Sequence, residues 1–351
     1  MVKQILVVGA GVTGLTTALV TKERLGSLVE VHLIAQYLPG DDATFYTSPK
    51  AGAHWSSSNQ KENKEWQKVT YKKLKELSKI PEAFVKPYPL YMGDIVPEGE
   101  KTPEFEDPWF KDFIEEYEFL GSDPRFAEVK NLYRYQSYTI STGLYLVWLL
   151  GQLRSKGVSI QRHTIKSLKE AENYTLPNGK LPDLVVNCTG LGHNFLQDGG
   201  DKKLKPVRGH VLLVENNLPY QVTFEQPYTT PGMKKGEFLM LFPRPEGGSV
   251  LGGIYDRNFL EFDTSIDKAY VERLQAKVKK HLPELLDDEG QLKISKHVIG
   301  FRPEREGGAR IELQGKILHN YGNGNSGYIE SWGGAESTVE EIQKFLFKAK
   351  L

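Results

Sequence analysis

The sequence is poor in cysteine and has no excess of charge of either sign. Its 351 residues include one cysteine, Cys188, which excludes internal disulfide bonds and fits a reducing compartment. Lys and Arg number 45, as do Asp and Glu, so the formal net charge is zero. Nucleic-acid-binding proteins usually carry a basic excess, and we therefore expect no nucleic-acid partner. Because Cys188 lies in an apolar run, we predict that it packs in the core.

Long hydrophobic runs are also missing. The longest apolar stretch, residues 144–150, is far shorter than the roughly 18 residues that span a bilayer, so it predicts a buried helix and no membrane contact. An apolar strand opens the chain, which predicts that no signal peptide precedes it. The length favours two domains. We predict no metal site.

The first fourteen residues carry the strongest pattern in the chain. An apolar run, Ile5–Val8, leads into a Gly-x-Gly-x-x-Gly turn and then into a helical pattern. Such a turn presents backbone N–H groups and a helix N-terminus to a pyrophosphate. The first glycine permits the turn, the second lets phosphates approach, and the third lets the helix pack on the strand. The alternative is a glycine turn without a ligand. We predict a dinucleotide loop at Gly9, Ala10, Gly11, Val12, Thr13 and Gly14.

The residue at the end of the second strand, which is predicted at 29–34, indicates which dinucleotide binds. An acidic residue is often expected at its end to hold the adenine ribose, but this chain has Gln36 there. Glutamine can bind a hydroxyl and would not repel a 2′-phosphate, so NADP is not excluded by this residue. Asp41 and Asp42 follow a turn and are alternatives for the ribose.

The remaining patterns predict an α/β fold. Buried strands at 29–34, 158–162 and 184–187 alternate with helices and indicate a parallel sheet, whereas short strands at 211–214, 238–242 and 249–251 indicate an inserted, mainly antiparallel sheet. Helices are predicted at 61–81, 142–153, 270–286 and 337–348. The predicted nucleotide domain comprises 1–55, 140–200 and 300–351, and the predicted substrate domain comprises 56–139 and 201–299.

Five segments in this order resemble the D-amino-acid oxidase family of FAD enzymes, over nearly the whole chain. They are the loop 9–14, Tyr46–Trp55 with its Ser-Pro-x-Ala-Gly-Ala-x-Trp pattern, 206–210, 300–310 and 319–333. The resemblance implies a Rossmann-like FAD domain with an inserted substrate domain. Besides the loop, it implies these cofactor-binding residues: Gln36, Thr47, Ser48, Ala51, Gly52, Ala53, Thr189, Gly190, Gly322, Gly324, Asn325, Ser326, Gly327, Tyr328 and Ile329.

The same resemblance implies a substrate site around Arg302, next to a proline in the segment 300–310. A guanidinium presents a planar donor fork to the carboxylate of an amino acid, and Tyr255 is placed to assist it. The alternative for Arg302 is a structural arginine, the role that we predict for Arg310. The family's amine-binding backbone carbonyl falls on Asn325. An active-site lid is expected near 215–237.

Met240 departs from the family pattern, which has a tyrosine there. Methionine cannot donate a hydrogen bond, so either Tyr228 replaces the hydroxyl or the carboxylate binds more weakly. Met240 also leaves an adaptable apolar pocket, although core packing is the simpler role for it. His54 and Lys50 replace other residues in their segment, and we place His54 in the substrate pocket.

The implied reaction is the FAD-dependent oxidative deamination of neutral D-amino acids by O₂. Hydride passes from the substrate Cα to flavin N5, and the products are a 2-oxo acid, ammonia and hydrogen peroxide. D-Aspartate oxidase is the nearest alternative, although in that relative an arginine occupies the position of Tyr255. Glycine or sarcosine oxidase, an NAD(P)-dependent dehydrogenase and a non-enzymatic nucleotide-binding protein are further alternatives.

The last three residues, Ala349-Lys350-Leu351, resemble the Ser-Lys-Leu peroxisomal address. We therefore expect a peroxisomal location and an import receptor as a partner; an ordinary helix end is the alternative. Relatives are often dimers, so a homodimer is expected from the resemblance alone.

Overall fold

Two β-sheets organise the protein, whose computed structural model describes residues 1–57, 63–225, 236–258 and 262–347. The strands in this part of the chain are β1 (Lys3–Val8), β2 (Val29–Ala35), β3 (Ala53–His54), β4 (Val85–Ile95), β5 (Glu118–Gly121), β6 (Val129–Ile140), β7 (Ser159–Arg162), β8 (Leu184–Asn187), β9 (Leu204–Val214), β10 (Gln221–Glu225), β11 (Glu237–Pro243), β12 (Ser249–Ile254), β13 (Ile294–Arg305), β14 (Arg310–Gln314) and β15 (Ile317–Tyr321). The helices are α1 (Val12–Leu25), α2 (Lys64–Leu77), α3 (Thr142–Ser155), α4 (Leu168–Glu172), α5 (Lys268–His281) and α6 (Ser331–Phe347).

The first sheet is the predicted parallel sheet. Its strand order is β14-β15-β8-β1-β2-β7, and all neighbours are parallel except β14, which pairs antiparallel with β15 at the edge. The residues Ile5–Val8 of the central strand β1 are buried, as expected for a strand covered on both faces. The loop after β1 therefore emerges at the carboxyl edge of the sheet, where open α/β folds bind ligands.

The second sheet is mainly antiparallel, with the order β13-β9-β12-β11-β10-β4-β6-β3 and β5 paired to β6. Its exception is the pair β10 and β4, which are parallel. The strands predicted at 211–214, 238–242 and 249–251 correspond to β9, β11 and β12. The predicted fold class, a parallel dinucleotide domain with an inserted sheet domain, is confirmed.

Two helices differ from their predicted bounds for identifiable reasons. The predicted helix 270–286 ends as α5 at His281, because Pro283 disfavours helical backbone at the residue before it. Helix α6 begins at Ser331, six residues before its predicted start. A Cβ on Gly333 would lie 2.1 Å from Trp66 Cα, so helix α2 packs against the glycines at the start of α6. In the sequence the same glycines suggest a loop, which is why the predicted start is too late.

The predicted domain borders also shift. The border at residue 300 falls inside β13, which pairs with β9 along its whole length and belongs to the second sheet. The predicted lid at 215–237 includes β10, a strand held between β4 and β11 with its first four residues buried. Residues 221–225 are therefore part of the sheet, and 226–235, with Tyr228, lie outside the described residues. In the part of the chain that was searched, no helix has the length and apolar character to cross a membrane.

Candidate active site

A cavity of about 1340 Å³ lies between the two sheets. It exceeds the usual size of a small-molecule pocket, so a dinucleotide and a substrate can share it. The described site residues predicted from the sequence line this cavity, with the exception of Gly14. The structure thus brings the glycine loop after β1 into one space with Arg302 and Tyr255, which are far away in the sequence.

The loop between β1 and α1 is tight enough to require glycine at two of its positions. Gly9 has φ of +113°, and a Cβ there would lie 2.4 Å from the carbonyl oxygen of Cys188. A Cβ on Gly14 would lie 2.0 Å from the carbonyl oxygen of Gly9. Gly14 therefore serves helix–strand packing rather than lining the cavity, as its place in the motif predicts.

Gly11 has a structural role in addition to the predicted approach of phosphates. A Cβ on Gly11 would lie 2.9 Å from Ser48 Oγ, and that oxygen accepts a hydrogen bond of 3.0 Å from the backbone N–H of Val12. The start of α1 is thus capped by a side chain from a distant segment. Ser48, predicted as a cofactor contact, is held directly against the dinucleotide loop.

The segment from Tyr46 to Ala51 is held in place by hydroxyl groups. The bonds are Tyr46 OH to the Ala10 carbonyl (2.7 Å), Thr47 Oγ1 to the Phe301 carbonyl (2.8 Å), Tyr328 OH to the Ser48 carbonyl (2.9 Å) and Thr142 Oγ1 to the Ala51 carbonyl (2.9 Å). Burial raises the pKa of Tyr46 further above neutral, so its hydroxyl is protonated and donates. This segment therefore joins both sheets to the cofactor loop.

At the end of β2, the polar group near the expected ribose is Gln36. Asp41 pairs with Arg162 at 2.6 and 3.0 Å, and Asp42 pairs with Lys50 at 3.3 Å and with Lys296 at 3.5 Å. Both carboxylates are thus engaged in ion pairs, which argues against the alternative that they hold a ribose. Gln36 donates to the neighbouring tyrosine hydroxyl at 3.1 Å on the exposed side of the cavity.

Arg302 lies at the opposite end of the cavity, on β13. A Cβ on Gly209 would lie 2.7 Å from Arg302 Nη1, so the guanidinium rests against bare backbone. Its Nη1 donates to the carbonyl of Ile254 at 3.1 Å, and its centre lies 4.6 Å from the ring centroid of Tyr255. Burial lowers the pKa of the Arg302 guanidinium from its ordinary value, but arginine remains charged at neutral pH.

Arg302 differs from the other cations of the cavity in its pairing. The remaining arginines and the lysine that line it form ion pairs: Lys50 with Asp42, Arg257 with Glu304, and Arg305 with Asp201. Arg302 has no carboxylate within ion-pair distance among the residues that the structure describes. A half-buried guanidinium without a counterion is costly, and an incoming carboxylate would compensate for that cost.

Tyr255 is held beside Arg302 by a contact that the sequence did not reveal. The side-chain amide of Asn325 donates to the Tyr255 hydroxyl at 3.1 Å, and the Tyr255 ring stacks on Phe238 with centroids 5.2 Å apart. Because the hydroxyl oxygen accepts this bond, its proton is left to donate towards the cavity. Asn325, predicted for its backbone carbonyl, thus also orients the hydroxyl that assists Arg302.

Met240 lies in a row of side chains that crosses the second sheet on its cavity side. Strand register aligns this row, here called the floor row: Met92, Thr223, Met240, Gly252, Val211 and Val298. The five residues of the row that have side chains line the cavity. Thr223 and Met92 were not predicted as site residues, because their place depends on the parallel pairing of β10 with β4, which no local pattern signals.

His54 also lines the cavity, beside the floor row and against Gln221 and Phe242. Its Nδ1 lies 2.8 Å from Gln221 Oε1, and its ring stacks on Phe242 at a centroid distance of 4.6 Å and an angle of 15°. Burial lowers the pKa of His54 to about 4, although its bond to Gln221 acts in the opposite direction. The imidazole is therefore neutral at pH 7.

Comparison with known proteins agrees with this geometry. Residues 4–341 match the family described as FAD dependent oxidoreductase. A D-amino-acid oxidase of Fusarium vanettenii is 32% identical over 98% of both chains, and one of Schizosaccharomyces pombe is 28% identical over 96% of this chain and 95% of that one. A D-aspartate oxidase of Talaromyces thermophilus is 26% identical over 97% and 95%.

Solved structures show the same fold at lower identity. An L-proline dehydrogenase from P. horikoshii has a TM-score of 0.72 at 17% identity, covering 98% of this chain and 94% of its own. A glycine oxidase from Bacillus cereus has a TM-score of 0.70 at 14% identity, covering 98% and 95%. The chain belongs to the FAD dependent oxidoreductase family, in its D-amino-acid oxidase branch, and it is an enzyme of that kind.

Proposed function

We propose that this protein binds FAD and catalyses the oxidative deamination of neutral D-amino acids by O₂, with a 2-oxo acid, ammonia and hydrogen peroxide as products. The observation that carries the proposal is Arg302, a half-buried cation without a carboxylate partner among the described residues, in a cavity continuous with the glycine loop after β1. The relatives named D-amino-acid oxidase support the choice of substrate and of enantiomer.

The residues present fit FAD. Glycines at the start of α1 leave backbone amides and a helix N-terminus at the cavity wall, where a pyrophosphate would bind. Gln36 would hold the ribose, and the backbone around Gly322 and Gly324, both with positive φ, would lie against the ring system. The chemistry that FAD supplies when bound is acceptance of a hydride at its N5 atom and passage of the electrons to O₂.

The protein's own part in this reaction is binding, orientation and the exclusion of water. Arg302 would bind the substrate carboxylate through its donor fork, with the Tyr255 hydroxyl as a further donor. The backbone carbonyl of Asn325 would accept a hydrogen bond from the neutral amine. Binding the carboxylate and the amine at two fixed points would set the direction of the substrate Cα–H bond. Such positioning accounts for much of the rate that an enzyme gains.

Two related activities are the alternatives, each suggested by a similar protein. A D-aspartate oxidase needs a second cation for the side-chain carboxylate, but this chain has Tyr255 at the position where the family resemblance implies an arginine for that activity. Lys50 is paired with Asp42, and His54 is neutral, so neither provides that charge. A glycine or sarcosine oxidase shares the fold, yet the side-chain space around Met240 and Met92 favours larger substrates.

Location and assembly are proposals that rest on resemblance alone. We propose that Ala349-Lys350-Leu351, which lies outside the described residues, directs the protein to peroxisomes through the import receptor, and that the protein forms a homodimer. Fluorescent fusions with and without these three residues test the address, since a tail that is no address would leave the distribution unchanged. Light scattering of the purified protein measures the mass in solution and tests the dimer.

Anaerobic mixing with candidate substrates tests the reaction. The purified protein should be yellow, and D-alanine and D-methionine should bleach its absorbance near 450 nm, whereas L-alanine and D-aspartate should not. Bleaching by D-aspartate alone would favour the D-aspartate oxidase, and bleaching by glycine or sarcosine alone would favour the third activity. A colourless protein that takes up no added FAD would refute the cofactor.

A further inference from the structure

We propose that the side-chain end of the substrate pocket selects uncharged D-amino acids whose side chain ends in a carboxamide, and that His54 and Thr223 read that group. This inference rests on the proposed function and specifies its substrate class. The carboxamide of glutamine or asparagine has one N–H donor face and one carbonyl acceptor. The two residues offer the complementary pair, an imidazole acceptor and a hydroxyl donor.

The acceptor is His54 Nε2, and the hydrogen-bond pattern behind the ring determines this. Gln221 Nε2 donates to the carbonyl of Tyr88 at 3.0 Å, so Gln221 Oε1 faces His54 as an acceptor. His54 Nδ1 must therefore carry the proton. In the neutral ring Nε2 is then a bare lone pair, and it has no hydrogen-bond partner among the residues described. The ring itself lines the cavity.

The donor is the Thr223 hydroxyl. Thr223 lies two residues after Gln221 on β10, hence on the same face of the strand, and it occupies the floor row between Met92 and Met240. Its Oγ1 is buried and is without a hydrogen-bond partner in the described part of the chain. A buried hydroxyl in that condition costs free energy, which is recovered when the side chain turns about χ1 and donates to a carbonyl oxygen of the substrate in the cavity.

The surroundings of these two groups fit a short apolar stem and disfavour a carboxylate. Met92 and Met240 flank Thr223, and methionine side chains adapt readily to methylene groups. Glu225 follows on the same face of β10 and lines the cavity. An acidic substrate would thus meet a lone pair and a carboxyl group, whereas an amide meets a donor and an acceptor.

The test compares substrates of equal length in the FAD-loaded enzyme. D-Glutamine and D-methionine differ at the end of the side chain, and D-glutamate replaces the amide nitrogen by oxygen. We expect the ratio of kcat/KM for D-glutamine over D-methionine to fall about tenfold in Thr223→Val and in His54→Phe, the loss of one hydrogen bond each. His54→Phe keeps an aromatic ring against Phe242, and Thr223→Val keeps the shape of the threonine.

Thr16→Val is the matched control. Thr16 also has a buried hydroxyl without a partner among the described residues, but it lies on α1 and does not line the cavity, so its replacement should leave the ratio unchanged. An unchanged ratio in both pocket variants would overturn the inference, as would D-glutamate or D-ornithine exceeding D-glutamine in the unaltered enzyme. Failure of D-alanine and D-methionine to bleach the flavin would instead refute the proposed function.

Discussion

The cofactor end of the cavity is shaped by the absence of side chains at its glycines, whereas the substrate end contains a cation and a hydroxyl that the described residues leave without a counterion or a hydrogen-bond partner. At the first end, Gly9 and Gly14 let backbone approach backbone to distances that no Cβ would tolerate. At the second end, Arg302 has no carboxylate partner and the Thr223 hydroxyl has no hydrogen-bond partner among the described residues. Steric fit therefore governs the cofactor end, and unmatched polar groups govern the substrate end.

The largest effect is expected from adding one methyl group at the cofactor end. Gly14→Ala would place a carbon 2.0 Å from the Gly9 carbonyl oxygen, so the loop must move. We expect FAD affinity to fall by more than about a hundredfold, measured by flavin fluorescence during titration. Gly151→Ala in α3 is the control, because a Cβ there meets nothing within 4 Å. Equal FAD affinity in both variants would contradict the steric account of this end.

At the substrate end, removing the charge of Arg302 should lower the activity while raising the stability of the substrate-free protein. Arg302→Leu should lower kcat/KM for D-alanine about a thousandfold, or about 4 kcal/mol, because charge-assisted hydrogen bonds to the carboxylate are lost. The melting temperature of the substrate-free protein should rise, since this removes a half-buried cation that no described carboxylate neutralises. Arg257→Leu, which breaks an exposed ion pair with Glu304, should change kcat/KM by less than about fivefold. A lower melting temperature for Arg302→Leu would mean that Arg302 is structural.

His210, on strand β9 behind Arg302, should make the free energy of unfolding depend on pH. Burial, with smaller contributions from Arg208 and His297, lowers the pKa of His210 to about 4, so the unfolded chain binds more protons between pH 4 and pH 6.5. His210 therefore contributes its full stability above pH 6.5 and loses it as the pH falls, at about 1.4 kcal/mol per unit.

His210→Gln tests this dependence, with His163→Gln, at a half-buried surface site, as the control. From pH 7 to pH 5, the loss of unfolding free energy should be about 2 kcal/mol smaller in His210→Gln than in the unaltered protein. Urea unfolding monitored by tryptophan fluorescence measures it. An equal loss in His210→Gln and in the unaltered protein would show that His210 does not titrate as its burial implies.

The smallest effect is expected from restoring a hydroxyl at the substrate end. Met240→Tyr should lower the KM for D-alanine about fivefold, the value of one neutral hydrogen bond. Met240→Leu, of similar volume and without a donor, should leave KM within about twofold. Steady-state oxygen consumption measures both. An unchanged KM in Met240→Tyr would place the Met240 side chain away from the substrate carboxylate.

Local patterns predicted the cofactor end well. The glycine spacing at 9–14 requires a tight turn between β1 and α1 in any fold that contains them, and that is where the structure places it. The capping of α1 by Ser48 was beyond such a pattern, because it depends on how a segment 36 residues away returns to the loop. The early start of α6 was not predicted either, because it depends on a tertiary contact: the glycines of α6 pack on α2.

The substrate end was predicted through resemblance and only in part. Arg302, Tyr255, Met240 and His54 were named from family positions, but Thr223 and Met92 were missed. Their neighbours in the floor row come from strands separated by up to about two hundred residues along the chain. Register between such strands is a tertiary property, which sequence periodicity alone does not specify.

Patterns local to the chain were enough to specify the parallel sheet and the glycine loop and to supply an arginine suited to a carboxylate. These features depend on neighbours in the chain, where backbone geometry and hydrophobic period act directly. The packing of distant strands leaves Arg302 without a counterion among the described residues, lets Asn325 orient Tyr255 and makes His54 neutral with Nδ1 protonated. Burial and pairing set the charge and direction of a polar group, and both arise only when distant strands meet.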